Sequence, residues 1–382
     1  MEHIKLFETL DSLYEEYLDF WRDVCNIESQ TKDKEGVDAV GSYFISAAKT
    51  RGWDVEIFKQ EKAGDVVEIT LNKDAKAAPI SLSGHIDTVH PKGLFPTPAV
   101  HFDDEKIYGP GVEDCKGGVV ACFMAMDALD KCGFRDRPIK LFLQTDEEVS
   151  SLISNKATIN YICERAKSSI AFINTEGHKP GTAMTSCKGI LRYEFIVHGV
   201  AMHSSACELA ANAVTEAAHK IIELEKMKDS NGITCNCGVI HGGTVANSVA
   251  DLCTFTADVR FTNDEEEGVA RQKLSDVAKH NTVKGCTTEL VEISTRPAMP
   301  RKEINLELLR KINNINEKVG LETLCERRFL GGTDAAYITK AGIPCVDGLG
   351  VVGGLIHSKE EYAIKKSLLS SAKQIAAIAL LI

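Results

Sequence analysis

At 382 residues the chain is long enough for two domains, and its 44% hydrophobic and 26% charged residues are those of an ordinary globular protein. The net charge of −11 comes with no basic stripe, which argues against a nucleic-acid partner. The apolar stretch from Ala363 to Ile382 is broken by Lys365, Lys366 and Lys373, so it reads as an amphipathic helix and no membrane association is expected. The opening Met1-Glu2-His3 has no basic or apolar leader behind it, so no export signal is expected. Thirteen cysteines, odd in number and without framework spacing, read as reduced thiols of a cytoplasmic protein. Cys235-Asn236-Cys237 is the one close pair, and plain strand residues are its expected reading.

In chain order, Leu6, Leu10, Leu13, Tyr17, Trp21 and Val24 recur at steps of three and four and predict a helix with one apolar face. A second helix fits Gly36 to Thr50 and ends at Gly52. Residues 53–58 and 65–71 alternate as strands. Ile80-Ser81-Leu82-Ser83 is a buried strand running into Gly84-His85. Residues 99–108 allow a hairpin, Gly109-Pro110-Gly111 leads to Asp114, and Val119 to Leu129 is helical. Two further apolar runs, 139–144 and 169–174, end at Glu147-Glu148 and at Glu176. Open α/β sheets carry their ligands at such carboxyl ends. The alternation predicts an α/β catalytic domain, a central mixed sheet flanked by helices.

The pattern changes near Ser186. Strand 189–199, helix 208–227, strands 233–241 and 251–261, helix 264–280 and strand 287–294 follow the β-α-β-β-α-β order of a split βαβ unit. The expected division is 1–185 and 298–382 for the catalytic domain and 186–297 for an inserted ferredoxin-like α+β domain. The α/β character then returns with helix 304–319, Gly331-Gly332-Thr333-Asp334 opening a helix, strand 343–347, a Gly-rich segment, His357 and the terminal helix.

Two imidazoles, a lone aspartate, a carboxylate doublet and a later glutamate are the inventory of a two-metal hydrolytic site. Asp114, at a Gly-rich turn and a helix start, is the natural bridging carboxylate. His85 and Glu176 would complete one site, Glu148 and His357 the other. Mixed imidazole and carboxylate ligation suits two Zn2+, with Co2+ or Mn2+ as alternatives. Asp87 is placed to accept the second ring N–H of His85. Glu147, the spare carboxylate of the doublet, is left as general base toward an attacking hydroxide held by the two zinc ions. A dinucleotide-binding oxidoreductase would need a G-x-G-x-x-G at a strand–helix junction, and there is none.

Ser83-Gly84-His85-Ile86-Asp87-Thr88-Val89, Tyr108 through Gly118 and Thr145-Asp146-Glu147-Glu148 together resemble the zinc exopeptidase and deacylase family. That family includes glutamate carboxypeptidase, acetylornithine deacetylase, succinyl-diaminopimelate desuccinylase, aminoacylase and dipeptidases. Arg296-Pro297-Ala298, Gly331 through Tyr337 and His357 through Tyr362 are similar to its bacterial glutamate carboxypeptidase (carboxypeptidase G type) branch in particular. The resemblance implies His85, Asp114, Glu148, Glu176 and His357 as metal ligands, Glu147 as base and Asp87 behind His85. It implies His203 of the inserted domain as the oxyanion donor of a partner subunit, in a homodimer formed through that lid. It implies Asn247, Arg260 and Arg296 as contacts for a substrate carboxylate. The implied activity is hydrolysis of an amide or peptide bond next to a free-carboxylate amino acid, with release of C-terminal glutamate. A deacylase or dipeptidase of the same family is the alternative. The residues after His203 (Ala206-Cys207-Glu208) and around Thr185–Gly189 depart from that branch, and a lysine for acidic substrates falls to neither Lys179 nor Lys188 securely. Cys115 reads as a buried structural thiol.

Overall fold

The computed structural model describes residues 2–382 and divides into two compact units. The first comprises residues up to Ser186 together with Arg301–Arg328 and Thr333–Ile382. The second comprises Cys187–Pro300 and Phe329–Gly332.

The first unit is built on a six-stranded mixed sheet. Across it run Asp54–Phe58, Val66–Leu71, Ile139–Gln144, Ile80–His85, Ala171–Asn174 and Cys345–Val346. The first two are antiparallel to their neighbours, and the last four run parallel. The amino-terminal helix Glu2–Cys25 buries the predicted face, Leu6 through Val24, in the core. Helix Lys116–Lys131 is apolar almost all round because it is enclosed, with Phe123 packed among Phe20, Phe44 and Trp53. The terminal helix Lys365–Leu381 buries Leu368, Ala372, Ile375 and Ile378 in the same core. No helix among the described residues is long and apolar enough to cross a membrane.

Two elements of this unit lie outside the stretches to which the sequence assigns bounds. Helix Ala157–Ala166 follows the Glu147–Glu148 turn, and strand Cys325–Phe329 pairs with Thr182–Cys187 in a separate ribbon. The hairpin at residues 99–108 is realised as His101–Phe102 paired with Lys106–Tyr108. Asp103 closes its turn by accepting the N–H groups of Glu105 and Lys106.

The second unit is a four-stranded antiparallel sheet in the order Thr234–Gly242, Leu252–Phe261, Gly189–His198, Thr287–Arg296. With helices Ala213–Leu224 and Asp264–Lys279 this is the ferredoxin-like arrangement expected from the element order. The first helix starts at Ala213, five residues later than residue 208. The Asn212 side chain accepts the N–H groups of Val214 and Thr215 and so fixes the helix start. Residues Ser204–Leu209 form a separate 3-10 turn instead. Phe195, Phe255 and Phe261 are at the centre of this unit's own core.

Candidate metal centre

The site is assembled by strand alignment. Ile80–His85 lies between two parallel neighbours, in register His85 opposite Gln144 and Ser83 opposite Asn174. Three carboxyl ends therefore share one edge of the sheet. His85 is the last residue of the central strand, Glu147 and Glu148 follow Gln144 in a 3-10 turn, and Glu176 follows Asn174. Asp114 arrives from a turn in which Gly111 holds φ +74, in the left-handed region that favours glycine. Helix Lys116–Lys131 comes close behind it. A Cβ on Gly118 would stand 2.1 Å from the Thr175 carbonyl oxygen, so only glycine permits this approach. His357 lies beyond the Gly-rich loop and itself holds φ 62, a strained backbone for a histidine and one that recurs at functional sites.

These segments converge on the Asp114 carboxylate. His85 Nε2 is 3.0 Å from Oδ1, and His357 Nε2 is 3.1 Å from Oδ2. His85 Nε2 is also 3.8 Å from Glu176 Oε2, and His357 Nε2 is 3.3 Å from Glu148 Oε2. Each oxygen of one carboxylate thus faces a different imidazole, and each imidazole has a further glutamate beside it. The ligand atoms of His85, Asp114 and Glu148 lie within 4.8 Å of one another. So do those of His85, Cys115 and Glu176.

The electrostatics express an excess of buried acid. Burial drives the Glu176 carboxyl well above the ordinary carboxylate range, and nearby Glu147 and Asp114 add to the rise, although His85 opposes it. Burial likewise raises Glu148 to about 7, with His357 opposing. Burial alone would raise Asp114 too, but hydrogen bonds from His357 and His85 hold it well below its usual range. His357 is pushed up to about 10 by its hydrogen bonds to Asp114 and Glu148. Burial works to lower His85, but Cys115, Glu176 and its bonds to Asp114 and Asp87 outweigh it and raise the imidazole. Two imidazoles and three carboxylates held this close, with nitrogen and oxygen donors, fit a pair of divalent cations.

Asp87 is fully buried, and its role differs in detail from the expectation. The nearer acceptor for His85 Nδ1 is its main-chain carbonyl at 3.0 Å, with the carboxylate at 3.4 Å. The carboxylate instead accepts from Thr31 Oγ1 at 2.8 Å and from the N–H groups of Glu147 and Glu148, both at 3.3 Å. It therefore holds the doublet as well as the histidine. Nothing in the sequence singles out Thr31.

Four of the expected residues are carried by the second unit. His203 is exposed, and its Nδ1 accepts the N–H of Ser205 at 3.2 Å. Asn247 is exposed in a turn, and its carbonyl accepts from Ser204. The Arg260 fork is engaged by Asp258, at 2.6 and 3.2 Å. Arg296 is buried and donates to the Gly332 carbonyl at 2.9 Å. Lys188 is buried with its ammonium on the Gly232 carbonyl, whereas Lys179 is exposed. Cys235 and Cys237 are residues of strand Thr234–Gly242, as expected.

Cys115 lies closer to the centre than a structural thiol requires. Its Sγ nevertheless donates to the Thr175 carbonyl at 3.3 Å, and burial, with Glu176 beside it, pushes the thiol well up. Glu113 and Glu361, for which no role was expected, are both buried next to Asp114. Burial, with Asp114 and Glu361 nearby, lifts Glu113 to about 8.

The edge of a mostly parallel sheet, crowded with imidazoles and carboxylates, defines a metal-dependent hydrolase in class. Residues 81–381 match the model of peptidase family M20/M25/M40, and the chain belongs to that family, whose members are metal-dependent. It is 30% identical over 363 residues to carboxypeptidase G2 of Pseudomonas sp. strain RS-16, covering 92% of this chain and 86% of that one. It is 22% identical over 359 residues to succinyl-diaminopimelate desuccinylase of Wolbachia pipientis wMel, covering 89% and 86%. Among solved structures, a tripeptidase from Staphylococcus aureus superposes with a TM-score of 0.80 at 21% identity, covering 96% and 98%.

Proposed function

We propose that this metallopeptidase-family hydrolase uses two divalent ions, zinc in the first instance and cobalt or manganese as alternatives, to cleave the amide bond of a small peptide or N-acyl amino acid. We take the released residue to be C-terminal glutamate. The observation that carries the reading is the Asp114 carboxylate, with one oxygen toward His85 and the other toward His357. Asp114 would bridge, His85 and Glu176 would complete one site, and Glu148 and His357 the other. When bound, such ions polarise a carbonyl and lower the pKa of a water.

The chain's own residues do the rest. Glu147, beside Glu148 and held by its N–H on the Asp87 carboxylate, takes the proton of the attacking water and passes it to the leaving amine. His203 donates to the oxyanion. Ser205 engages its Nδ1 through both the main-chain N–H and the hydroxyl, which leaves Nε2 to face a substrate and supports a donor role. Asn247, Arg260 and Arg296 would hold the substrate carboxylate, and for Arg260 the substrate must share the guanidinium with Asp258.

A homodimer through the inserted unit would bring His203 to a neighbouring site. Strand Thr234–Gly242 supports this, since it is an edge strand with Val239 and Ile240 51% and 47% exposed. The thirteen free cysteines support a reducing, cytoplasmic setting. The second reading, a deacylase or dipeptidase, is favoured by the occupied Arg260 fork. The test is glutamate release from an N-acyl-glutamate by zinc-loaded protein, with Glu147→Ala alongside. Release that vanishes in the variant supports the reading. No release with two zinc ions bound moves the activity to the deacylase or dipeptidase side.

A further inference from the structure

Glu361 is hydrogen-bonded to the turn that carries Asp114. Its side chain is buried, 1% exposed. Oε1 accepts the N–H of Glu113 at 2.9 Å and of Asp114 at 3.1 Å. Oε2 accepts the N–H of Gly111 at 3.1 Å and faces His90 Nε2 at 3.2 Å. The main-chain carbonyl of Glu361 accepts the N–H of Gly109 at 3.2 Å. One residue thus receives four of the backbone N–H groups between Gly109 and Asp114.

Position in the chain adds to this. Strand Tyr362–Ile364 pairs with Lys106–Tyr108, Tyr362 opposite Tyr108, so Glu361 is delivered directly alongside the turn. Four residues earlier, His357 reaches the Asp114 carboxylate itself. The segment 357–361 therefore holds Asp114 twice, by its side chain through His357 and by its backbone through Glu361. Three buried N–H groups converging on one carboxylate need that carboxylate, because a buried amide without an acceptor is costly.

We propose that Glu361 is a positioning residue that orients Asp114 to face both metal sites, with His90 as its own support. The inference rests on the two-metal reading above. Groups behind a ligand set its orientation, and their loss typically weakens metal binding by ~10–100-fold. Glu361→Gln keeps size and shape but offers one acceptor oxygen in place of two. Whichever way the amide turns, its NH2 faces either the Glu113 and Asp114 N–H pair or the Gly111 N–H and His90.

The experiment is titration of metal-free protein with Co(II), reading affinity and the d–d absorption spectrum, with thermal melting of the metal-free protein in parallel. Glu361→Gln should melt as a folded protein, bind Co(II) ~10–100-fold more weakly and show an altered spectrum. Affinity within twofold of wild type with an unchanged spectrum overturns the proposal. Should Glu361→Gln fail to fold, His90→Phe decides. It keeps the packing against Phe95 and removes the donor, and should weaken Co(II) binding by a smaller factor. Unchanged affinity there overturns the proposal too. Glu147→Gln is the control that separates the two readings: Co(II) bound as in wild type, hydrolysis lost. A wild-type protein that takes up no Co(II) sinks the two-metal reading and this inference with it.

Discussion

Two buried charge clusters of this molecule look alike by depth and differ in kind. In the second unit Lys220 and Glu216 are both almost fully enclosed, 3.0 Å apart. Lys220 also donates to the carbonyls of Val277, Ala278 and His280, and Glu216 accepts from the N–H groups of Thr282 and Val283. One cation meets one anion, and main-chain groups bond the Lys220 ammonium and Glu216 Oε2, while Glu216 Oε1 faces only the ammonium. In the first unit strand ends and a Gly-rich turn bring Asp114, Glu148 and Glu176 against two imidazoles, with Glu113 and Glu147 close by. There acid outnumbers base, and several carboxyls are lifted far from their usual range. A charge-balanced pair is architecture. An unbalanced one asks for a cation from outside.

Four measurements break or sharpen this contrast, from the largest effect to the smallest. Stripping metal with a chelator should abolish hydrolysis and lower the melting temperature, and restored zinc should recover both. A metal bound at a hundred times its dissociation constant stabilises by ~2.7 kcal/mol. The same treatment should leave the Lys220 region untouched, as hydrogen exchange of residues 277–283 would report. Glu147→Ala should lower kcat by ~10²–10⁴-fold with zinc content unchanged, a split that a general structural role would not produce.

Lys220→Met should be the reverse case. It leaves Glu216 buried without its cation and should cost about 3–5 kcal/mol in denaturant unfolding, with Co(II) affinity unchanged. Recovery of stability in Lys220→Met with Glu216→Leu would show that the pair is a closed unit.

Asp127 sharpens the point inside the first unit. It is enclosed and takes bonds from Arg51 at 2.9 Å, Tyr17 at 2.8 Å and Lys131 at 2.6 Å. Burial raises its carboxyl, but Arg51 and Lys131 more than offset this and hold it below its ordinary value. A depressed carboxylate contributes stability that is complete above its unfolded pKa of about 3.9 and lost as pH falls through its lower folded value. Asp127→Asn should therefore cost on the order of 1–3 kcal/mol at pH 7. The gap to wild type should close as the medium is acidified below about pH 4. A gap that stays constant in acid would mean that packing, not charge, is what the substitution removed.

How far the sequence could be read depends on how local each cause is. The apolar face of Leu6 to Val24, the buried strand ahead of His85 and the β-α-β-β-α-β order of the inserted unit rest on periodicities of two and 3.6 within single elements. Those were legible. The start of the helix at Ala213 was misplaced because one Asn212 side chain, not periodicity, decides it. Helix Ala157–Ala166 carries Ile159, Ile162 and Ala166 at helical spacing, but it is ten residues long and starts after Lys156 with no side-chain cap, so its bounds were not marked in the sequence.

The sequence by itself determined which residues stand at strand ends and Gly-rich turns, and hence which could be ligands at all. Only the tertiary structure decided how they meet. The parallel register of three strands sets His85, Glu148 and Glu176 on one edge, and the return of the chain at Tyr362 brings His357 and Glu361 onto Asp114. Tertiary contacts also turn the Asp87 carboxylate to Thr31, occupy Arg260 with Asp258 and place Cys115 under Thr175. The reason is that hydrogen bonds depend on ångström-scale placement of groups distant in the chain. No local pattern of residues encodes such placement.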